Sequence, residues 1–196
     1  MNLLEESKKV NWQNGSEIIQ FYESRKLYFS NANKIQDEET LYNIINVKYH
    51  YANSLFFKSH YDKVYPIIEE ARELISIVKS NPEKNNQLST VFLFLEARTL
   101  NNQKKYRKAQ ALLKELLKKD PDNHTYQEWY LNNTLGTYEI YFNVLIGIAI
   151  VLIWSSFVIS FSIDLGLVGI IMLVLVYFGY EGFKRRIKSK LSEFSI

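Results

Sequence analysis

The feature that most constrains this chain is a stretch of 41 residues, 140–180, in which Asp164 is the single charged residue. Its first part, 140–163, has 24 residues without a charge, and its second part, 165–180, has 16. An α-helix needs roughly 20 apolar residues to cross about 30 Å of hydrocarbon. The stretch is too long for one span and predicts a transmembrane hairpin, with spans at about 140–163 and 165–183. A buried helical hairpin of a soluble protein is the alternative.

Both ends of the predicted hairpin carry the residues expected where a membrane meets water. Aromatic side chains open the first span and close the second; they are Tyr141, Phe142, Tyr177, Phe178, Tyr180 and Phe183. The following segment, 184–190, has five basic residues among seven. The positive-inside rule places this tail, 184–196, in the cytoplasm, and two crossings then place the N-terminal region there too. The first residues lack the basic and apolar pattern of a signal peptide.

The charge of the chain argues against nucleic-acid binding. The formal net charge is +3, and the residues from Asp164 onward include five basic and three acidic ones. The region before the hairpin is therefore nearly neutral, whereas nucleic-acid binding normally requires a basic face. Lysine pairs such as Lys104-Lys105 and Lys118-Lys119 are interpreted as solvated helix faces. The absence of cysteine is compatible with a reducing compartment.

The region before the hairpin, 1–138, predicts an all-α domain. The chain has only seven glycines and three prolines, and no alternation of apolar and polar residues is long enough for a strand. Caps and breakers divide the region into helices. They are expected at about 3–10, 16–30, 37–58, 61–79, 87–102, 106–119 and 124–139, the last continuing into the first span.

Two segments of this region follow the same pattern at a separation of 45 residues. Small residues, a tyrosine and a second small residue recur in the same order: Ala52, Tyr61 and Val64, then Ala97, Tyr106 and Ala109. The pattern resembles the tetratricopeptide repeat (TPR), whose helix-turn-helix units stack into a solenoid. The resemblance covers 41–123 and implies TPR-like α-helical hairpins stacked as a short solenoid, followed by two transmembrane helices.

The match departs from the family pattern in two ways. Forty-five residues exceed the usual length of about 34, so longer helices are expected. Pro66 falls inside the second helix of the first unit and should bend that helix or mark its true start. A plain helical bundle that shares the pattern by accident is the alternative.

The sequence contains no recognisable catalytic constellation. The histidines, His50, His60 and His124, lack metal-ligand spacing, and no glycine-rich phosphate loop or nucleophile motif is present. We therefore expect no enzymatic activity, no metal and no cofactor.

The resemblance implies a partner surface instead. In the family, the first helix of each unit lines a concave groove; the matching positions are Asn46, Tyr49, Asn53, Phe56, Val91, Phe94, Arg98 and Asn101. Aromatic, amide and guanidinium groups suit an extended peptide or a partner helix. Tyr49, Phe56 and Phe94 are alternatively core residues. Asn53 matches a clamp position of one family subtype, but Tyr49 replaces the clamp lysine, so the chaperone-tail function of that subtype is not expected.

Within the hairpin, small and hydroxyl residues favour close helix packing. Ser156 and Ser160 are spaced for one contact, either within the hairpin or between copies of the chain. Asp164 is interpreted as the solvent-side hairpin tip, with an intramembrane proton or ion site as the alternative.

These patterns together predict a membrane-anchored adaptor or scaffold that binds a protein partner through its cytoplasmic helical domain. One alternative is a two-span pore-forming or membrane-disrupting effector controlled by the soluble domain. Another is an accessory subunit of a larger membrane complex. A homo-oligomer is compatible with each.

Overall fold

The computed structural model is all-α. It describes residues 6–7, 9–158 and 163–194, and the side chains at 156–158, 163–165, 188 and 190–194 lie outside this description. From Gly15 onward, the described part contains eight α-helices and one 3₁₀ turn. They are α1 (Gly15–Glu23), α2 (Lys26–Ser30), the 3₁₀ turn (Ala32–Lys34), α3 (Glu38–Phe57), α4 (Tyr61–Ile77), α5 (Pro82–Asn102), α6 (Tyr106–Lys119), α7 (His124–Val158) and α8 (Ile163–Phe194).

The helix predicted at about 16–30 differs from the structure at its start and in its middle. The N-cap of α1 is Asn14, whose side chain accepts hydrogen bonds from the backbone N–H groups of Ser16 and Glu17. The predicted cap, Ser16, therefore lies inside the helix. The segment also divides after Glu23, because the backbone at Arg25 leaves the helical region.

The start of α5 is five residues earlier than predicted. Asn81 caps it by accepting a hydrogen bond from the Lys84 N–H at 2.9 Å, and Pro82 occupies the first helical position. Proline is favoured there, because the first N–H groups of a helix have no partner within it. In the sequence, Pro82 also indicates the end of the preceding helix, and this was the only role predicted for it.

Pro66 does not mark the start of α4, which begins at Tyr61 and continues through the proline to Ile77. The ring removes one backbone donor near the beginning of the helix, and the remaining turns are held by packing. The predicted start at residue 61 is therefore confirmed, and the alternative in which Pro66 marks the start is wrong.

The chain divides into two compact units, Met1–Gln103 and Lys104–Ile196. In the first unit, α1 packs on α3, α3 on α4, and α4 on α5. The core of this unit is formed by apolar side chains from α1, α3, α4 and α5, including Phe21, Ile44, Ile45, Leu55, Ile68, Phe92 and Leu95. In the second unit, α6 packs on α7 and α7 packs on α8.

The core of the first unit also holds a charged side chain, Lys48. Its Nζ donates a hydrogen bond to the Tyr22 hydroxyl at 3.1 Å and pairs with the Glu70 carboxylate. The Tyr22 ring stacks on Tyr51 at 3.8 Å and on Phe29 at 4.7 Å between centroids. Burial, and then the nearby Glu70 charge, raise the pKa of Tyr22, so its hydroxyl stays protonated.

Two interhelical connections of the chain, 58–60 and 103–105, have nearly the same backbone conformation. The middle residue of each has a positive φ, 61° at Ser59 and 60° at Lys104. The first residues have φ/ψ of −87°/8° and −82°/7°, and the last have −85°/55° and −83°/51°. The connections lie 45 residues apart, which is the separation of the sequence pattern.

The helices α7 and α8 are long and apolar enough to cross a membrane. As predicted, α7 continues without a break from His124 into the apolar stretch. Its apolar part, 140–158, has a length of about 28 Å, and residues 163–180 of α8 have about 27 Å. Asp164 is the second residue of α8, so its backbone belongs to the first turn of that helix.

The α7/α8 pair is antiparallel. The Tyr138 ring lies 4.4 Å from Phe183, and the Phe142 ring lies 4.7 Å from Tyr180, so the contacts run in opposite directions along the two helices. Few residues in the most apolar window of either helix are buried, 11% in each. The helices therefore expose their apolar side chains over most of their circumference.

Candidate functional site

A guanidinium group surrounded by phenylalanine rings connects α3 and α5 in the first unit. The Arg98 guanidinium lies 4.3 Å from the centroid of the Phe56 ring and 5.6 Å from those of Phe57 and Phe94. These distances are within the range of cation–π attraction. Three residues of the predicted groove, one on α3 and two on α5, are therefore close together.

The three rings differ in exposure. Phe56 is 5% exposed and belongs to the core, Phe94 is half-buried, and Phe57 is 70% exposed. Phe57 was not among the residues predicted from the sequence. It lies four residues after Asn53 at the end of α3, and i, i+4 neighbours share a helix face. This spacing was the signal in the sequence that could have identified it.

A cavity of 540 Å³ lies beside this cluster and is open to solvent. It is lined by the segment before α1 and by the C-terminal half of α3; the lining includes Trp12, Asn14, His50, Asn53, Ser54 and Phe57. The Trp12 ring lies 4.9 Å from the His50 ring. Burial lowers the pKa of His50, so the neutral imidazole is favoured there. Trp12 and His50 have no position in the TPR pattern, and the sequence alone gave no reason to place them here.

Two amide oxygens near the cluster accept no hydrogen bond within the part of the chain that the structure describes. They are Oδ1 of Asn53 and Oδ1 of Asn101, and both are shielded from solvent. Asn53 is three residues before Phe56, and Asn101 is three residues after Arg98, so each shares a helix face with a cluster residue. An unsatisfied buried acceptor costs about 1–3 kcal/mol. Because both oxygens are shielded, a ligand N–H donor would reach them only after the two side chains rotate toward solvent.

The remaining predicted groove residues have different environments. Tyr49 packs against the core and meets the Phe92 ring edge-on at 5.9 Å. Asn46 and Val91 are exposed. Burial lowers the pKa of Arg98, and interaction with Tyr49 opposes this effect. The guanidinium is thus partly desolvated, which strengthens its attraction for a carboxylate.

The predicted sites in the hairpin fall largely outside the described side chains. Ser160 lies outside the described residues, as do the side chains of Ser156 and Asp164. The two helices approach closely at Gly169, where an added Cβ would lie 2.7 Å from Cγ1 of Ile153 and 3.1 Å from the Ala149 carbonyl oxygen. Gly169 therefore allows the close approach for which the serines were proposed.

The groups brought together around Arg98 are a cation, aromatic faces and amide oxygens. Cation, aromatic faces and amide acceptors are all recognition groups, and the described residues contain no cluster of three or more His, Cys, Asp or Glu side chains that could hold a metal. The chain matches no protein-family model, no curated protein and no solved structure. Function must therefore be inferred from the groove and the apolar helices themselves.

Proposed function

We propose that this chain is a membrane-anchored adaptor whose helical-repeat domain binds a protein partner. The observation that carries the proposal is the cluster of the first unit in which the Arg98 guanidinium lies among phenylalanine rings, with two unsatisfied amide oxygens on the same helix faces. We refer to Asn53, Phe56, Phe57, Phe94, Arg98 and Asn101 as the α3/α5 groove.

The chemistry of the α3/α5 groove favours an extended peptide over a partner helix. Asn53 and Asn101 carry shielded oxygens that lack N–H donors, and rotation of these side chains would present them to a ligand. The backbone N–H groups of an α-helix are bonded within the helix, whereas those of an extended peptide are available. The exposed Phe57 ring adds apolar contact area, and the partly desolvated Arg98 favours an acidic side chain in the ligand.

The matching connections at 58–60 and 103–105 support the TPR-like interpretation. A repeated backbone conformation at the same separation as the repeated sequence is expected from duplicated helix-turn-helix units. In such units the first helices line the binding surface, and the groove side chains lie on α3 and α5, which hold that position in the repeat.

The exposure and length of α7 and α8 support membrane anchoring. Both helices are long enough for about 30 Å of hydrocarbon, and large apolar side chains such as Val151, Trp154, Leu175 and Phe178 are 66–69% exposed. An antiparallel hairpin returns the chain to the side from which it entered. The basic segment 184–190 favours the cytoplasm for both ends.

The groove is tested by selecting peptides against the full chain in lipid nanodiscs. We expect extended peptides with an acidic residue to be enriched and to bind Phe57→Ala at least about tenfold more weakly, because burial of a phenylalanine ring contributes roughly 1.5–3 kcal/mol. Asn53→Leu should weaken the same peptides by removing an acceptor. Leu27→Ala is the matched control, since Leu27 is an exposed apolar residue, 82% exposed, that lies on α2.

Equal peptide affinity for Phe57→Ala, Asn53→Leu and the parent chain would contradict the groove assignment. Selection of helical peptides alone would also contradict it. Far-ultraviolet circular dichroism of each variant separates loss of binding from loss of folding.

The membrane topology is tested by cysteine accessibility, since the natural chain has no cysteine. Single cysteines at Lys26, Asp164 and Ser189 are labelled with a membrane-impermeant maleimide from the outside of intact cells. We expect labelling at position 164, the predicted hairpin tip, alone; the other two should react after permeabilisation. Labelling of all three from one side would reject a two-span hairpin.

The described hydroxyl in the first span gives no support to the pore-forming alternative. Ser155 donates its hydrogen bond to the Leu152 carbonyl oxygen of its own helix, at 2.8 Å. Dye leakage from vesicles that contain the purified chain would favour the pore over the adaptor.

A further inference from the structure

A second cavity, of 450 Å³, lies in the second unit between the start of α6 and the middle of α7. Its wall combines apolar and aromatic groups with a dense group of basic residues. It is lined by Lys104, Lys105, Tyr106, Arg107, Lys108, Thr137, Ile140 and Tyr141. We call this cavity with its basic rim the α6/α7 pocket.

Three basic residues of the α6/α7 pocket carry positive charge that salt bridges in the described part of the chain do not neutralise. In the described part of the chain, Lys104, Arg107 and Lys108 are exposed and form no salt bridge. A carboxylate, Glu139, lies near the Tyr106 ring and raises the pKa of that residue together with burial. Lys104, Arg107 and Lys108 therefore leave an excess of positive charge at the pocket.

The pocket lies at the level where the apolar stretch of α7 begins. The Asn133 amide donates to the Tyr106 carbonyl oxygen at 2.8 Å, and the Tyr106 ring covers Gly136, where an added Cβ would lie 2.6 Å from Cζ. One turn further on, Arg107 donates a hydrogen bond to the Tyr141 hydroxyl. The basic start of α6 therefore points along α7 toward the predicted membrane, at an aromatic residue typical of the interface.

The basic tail begins at the same level of the hairpin. Phe183 contacts Tyr138 and Tyr180 contacts Phe142, and Lys184 follows directly with its Nζ 5.5 Å from the Tyr180 ring centroid. Two basic segments that are about 80 residues apart in sequence thus flank the same end of the apolar helices.

We propose that the α6/α7 pocket binds the anionic headgroup of a membrane phospholipid. The proposal rests on the membrane anchoring stated above and adds a ligand class to it. Lys104, Arg107 and Lys108 supply charge-assisted donors for the phosphate, as basic residues beside a membrane commonly do. Ile140 and Tyr141 lie at the cavity wall, where the upper part of an acyl chain would continue along α7.

The apolar part of the pocket distinguishes a lipid from a free phosphate ion. A soluble phosphate would use the basic rim alone and would gain nothing from Ile140 or the Tyr106 ring. A phospholipid would bury apolar surface at the same time as its charge is neutralised. We therefore expect a headgroup with an attached acyl chain to bind more tightly than the headgroup alone.

The test uses the full chain in a zwitterionic detergent, with native mass spectrometry of added lipid. The probes are dioctanoyl phosphatidylglycerol, dioctanoyl phosphatidylcholine with the same chains, and soluble glycerol 3-phosphate. The variant is Lys104→Gln/Arg107→Gln/Lys108→Gln. The matched control is Lys114→Gln/Lys118→Gln/Lys119→Gln, which removes the same number of positive charges from positions on α6 outside the pocket.

We expect the parent chain and the control to retain phosphatidylglycerol in preference to both other probes. The affinity of the pocket variant for phosphatidylglycerol should be at least about tenfold lower, because each basic residue near the headgroup contributes to the attraction. Equal retention of the two lipids, equal binding of glycerol 3-phosphate, or equal losses in variant and control would overturn the proposal.

Failure of this inference is distinguishable from failure of the proposed function. Resistance of the parent chain to alkaline extraction reports membrane anchoring, and peptide selection reports the α3/α5 groove. A chain that resists extraction but shows no headgroup preference would retain its anchor and lose only this inference. A chain that is extracted would fail at the anchor itself.

Discussion

Lys48 carries a positive charge into the core of the first unit, where its side chain is 1% exposed. Glu70 and the Tyr22 hydroxyl are its partners. Removing the carboxylate leaves a buried ammonium group without its counterion, and such losses cost several kcal/mol when both charges are buried. The cost should be smaller here because the Glu70 side chain is 42% exposed.

We therefore predict that Glu70→Gln lowers the free energy of unfolding by about 2 kcal/mol. The neighbouring Glu69→Gln is the control, since Glu69 is 67% exposed and forms a surface ion pair with Arg72. The control should lose about 0.5 kcal/mol or less. Denaturant unfolding of the full chain in detergent, followed by circular dichroism, measures both values. Equal losses would show that the Lys48–Glu70 pair stabilises the fold no more than the surface pair of Glu69 and Arg72 does.

His50 makes the first unit sensitive to acid. Burial lowers the pKa of its imidazole in the folded chain below the ordinary value of 6.5. As the pH falls below about 6.5, the unfolded chain takes up a proton before the folded chain does, so the stability decreases. The decrease ends once the pH is below the folded pKa.

We predict that His50→Gln reduces the loss of stability between pH 7.5 and 5.5, as measured by thermal unfolding of the full chain in detergent. His60→Gln, at an exposed position in the α3–α4 connection, should retain the pH dependence of the parent chain. A parent-like slope in His50→Gln would remove His50 as its source.

At the scale of the helices, most boundaries followed from local chemistry. The limits of α6 were predicted to the residue, and those of α3 to within one residue, because acidic caps and proline-containing breakers act on adjacent backbone. The errors came from ambiguous signals. Pro82 ends one element and begins the next, and Asn14 and Ser16 are both good caps.

The positive φ of Ser59 is a property of the connection that the sequence did not indicate. A residue with a Cβ is strained in this conformation, whereas glycine is not. We predict that Ser59→Gly raises the free energy of unfolding by about 0.5 kcal/mol, a net value because glycine also increases the entropy of the unfolded chain. Lys58→Gly, at a residue with φ of −87°, should lower it. Denaturant unfolding compares the two, and a loss at both positions would contradict the assigned strain.

At the scale of the whole molecule, the two units expose different kinds of surface. The first unit has a core of its own, while the second exposes the apolar sides of α7 and α8. Such exposure is unfavourable in water and favourable in hydrocarbon. The placement of a new charge along α7 therefore tests the environment of the helix.

We predict that Val151→Lys sharply reduces the fraction of the chain that resists alkaline extraction from membranes. Val151 is 66% exposed near the centre of 140–158, where a lysine costs about 2.5–3.5 kcal/mol on insertion. Val144→Lys is the control, because a lysine near the end of the span can extend to the interface. Equal extraction of both variants and the parent chain would indicate that α7 does not lie in a bilayer.

The sequence by itself determined the all-α class, the long α7 helix and the presence of two apolar helices. These features depend on periodicity, breakers and run length, which act between neighbours in the chain. The sequence also pointed to Phe56, Phe94 and Arg98, because the resemblance to the tetratricopeptide repeat implies a groove along the first helices of its units.

Only the tertiary structure decided what meets these residues in space. It placed Trp12 and His50 beside Asn53, and it brought Arg107 to Tyr141 over 34 residues of sequence. Such contacts depend on how helices pack, and packing depends on shape as well as on pattern. The run length of the apolar stretch indicated an anchor, and its folded surroundings supplied the basic pocket at its edge.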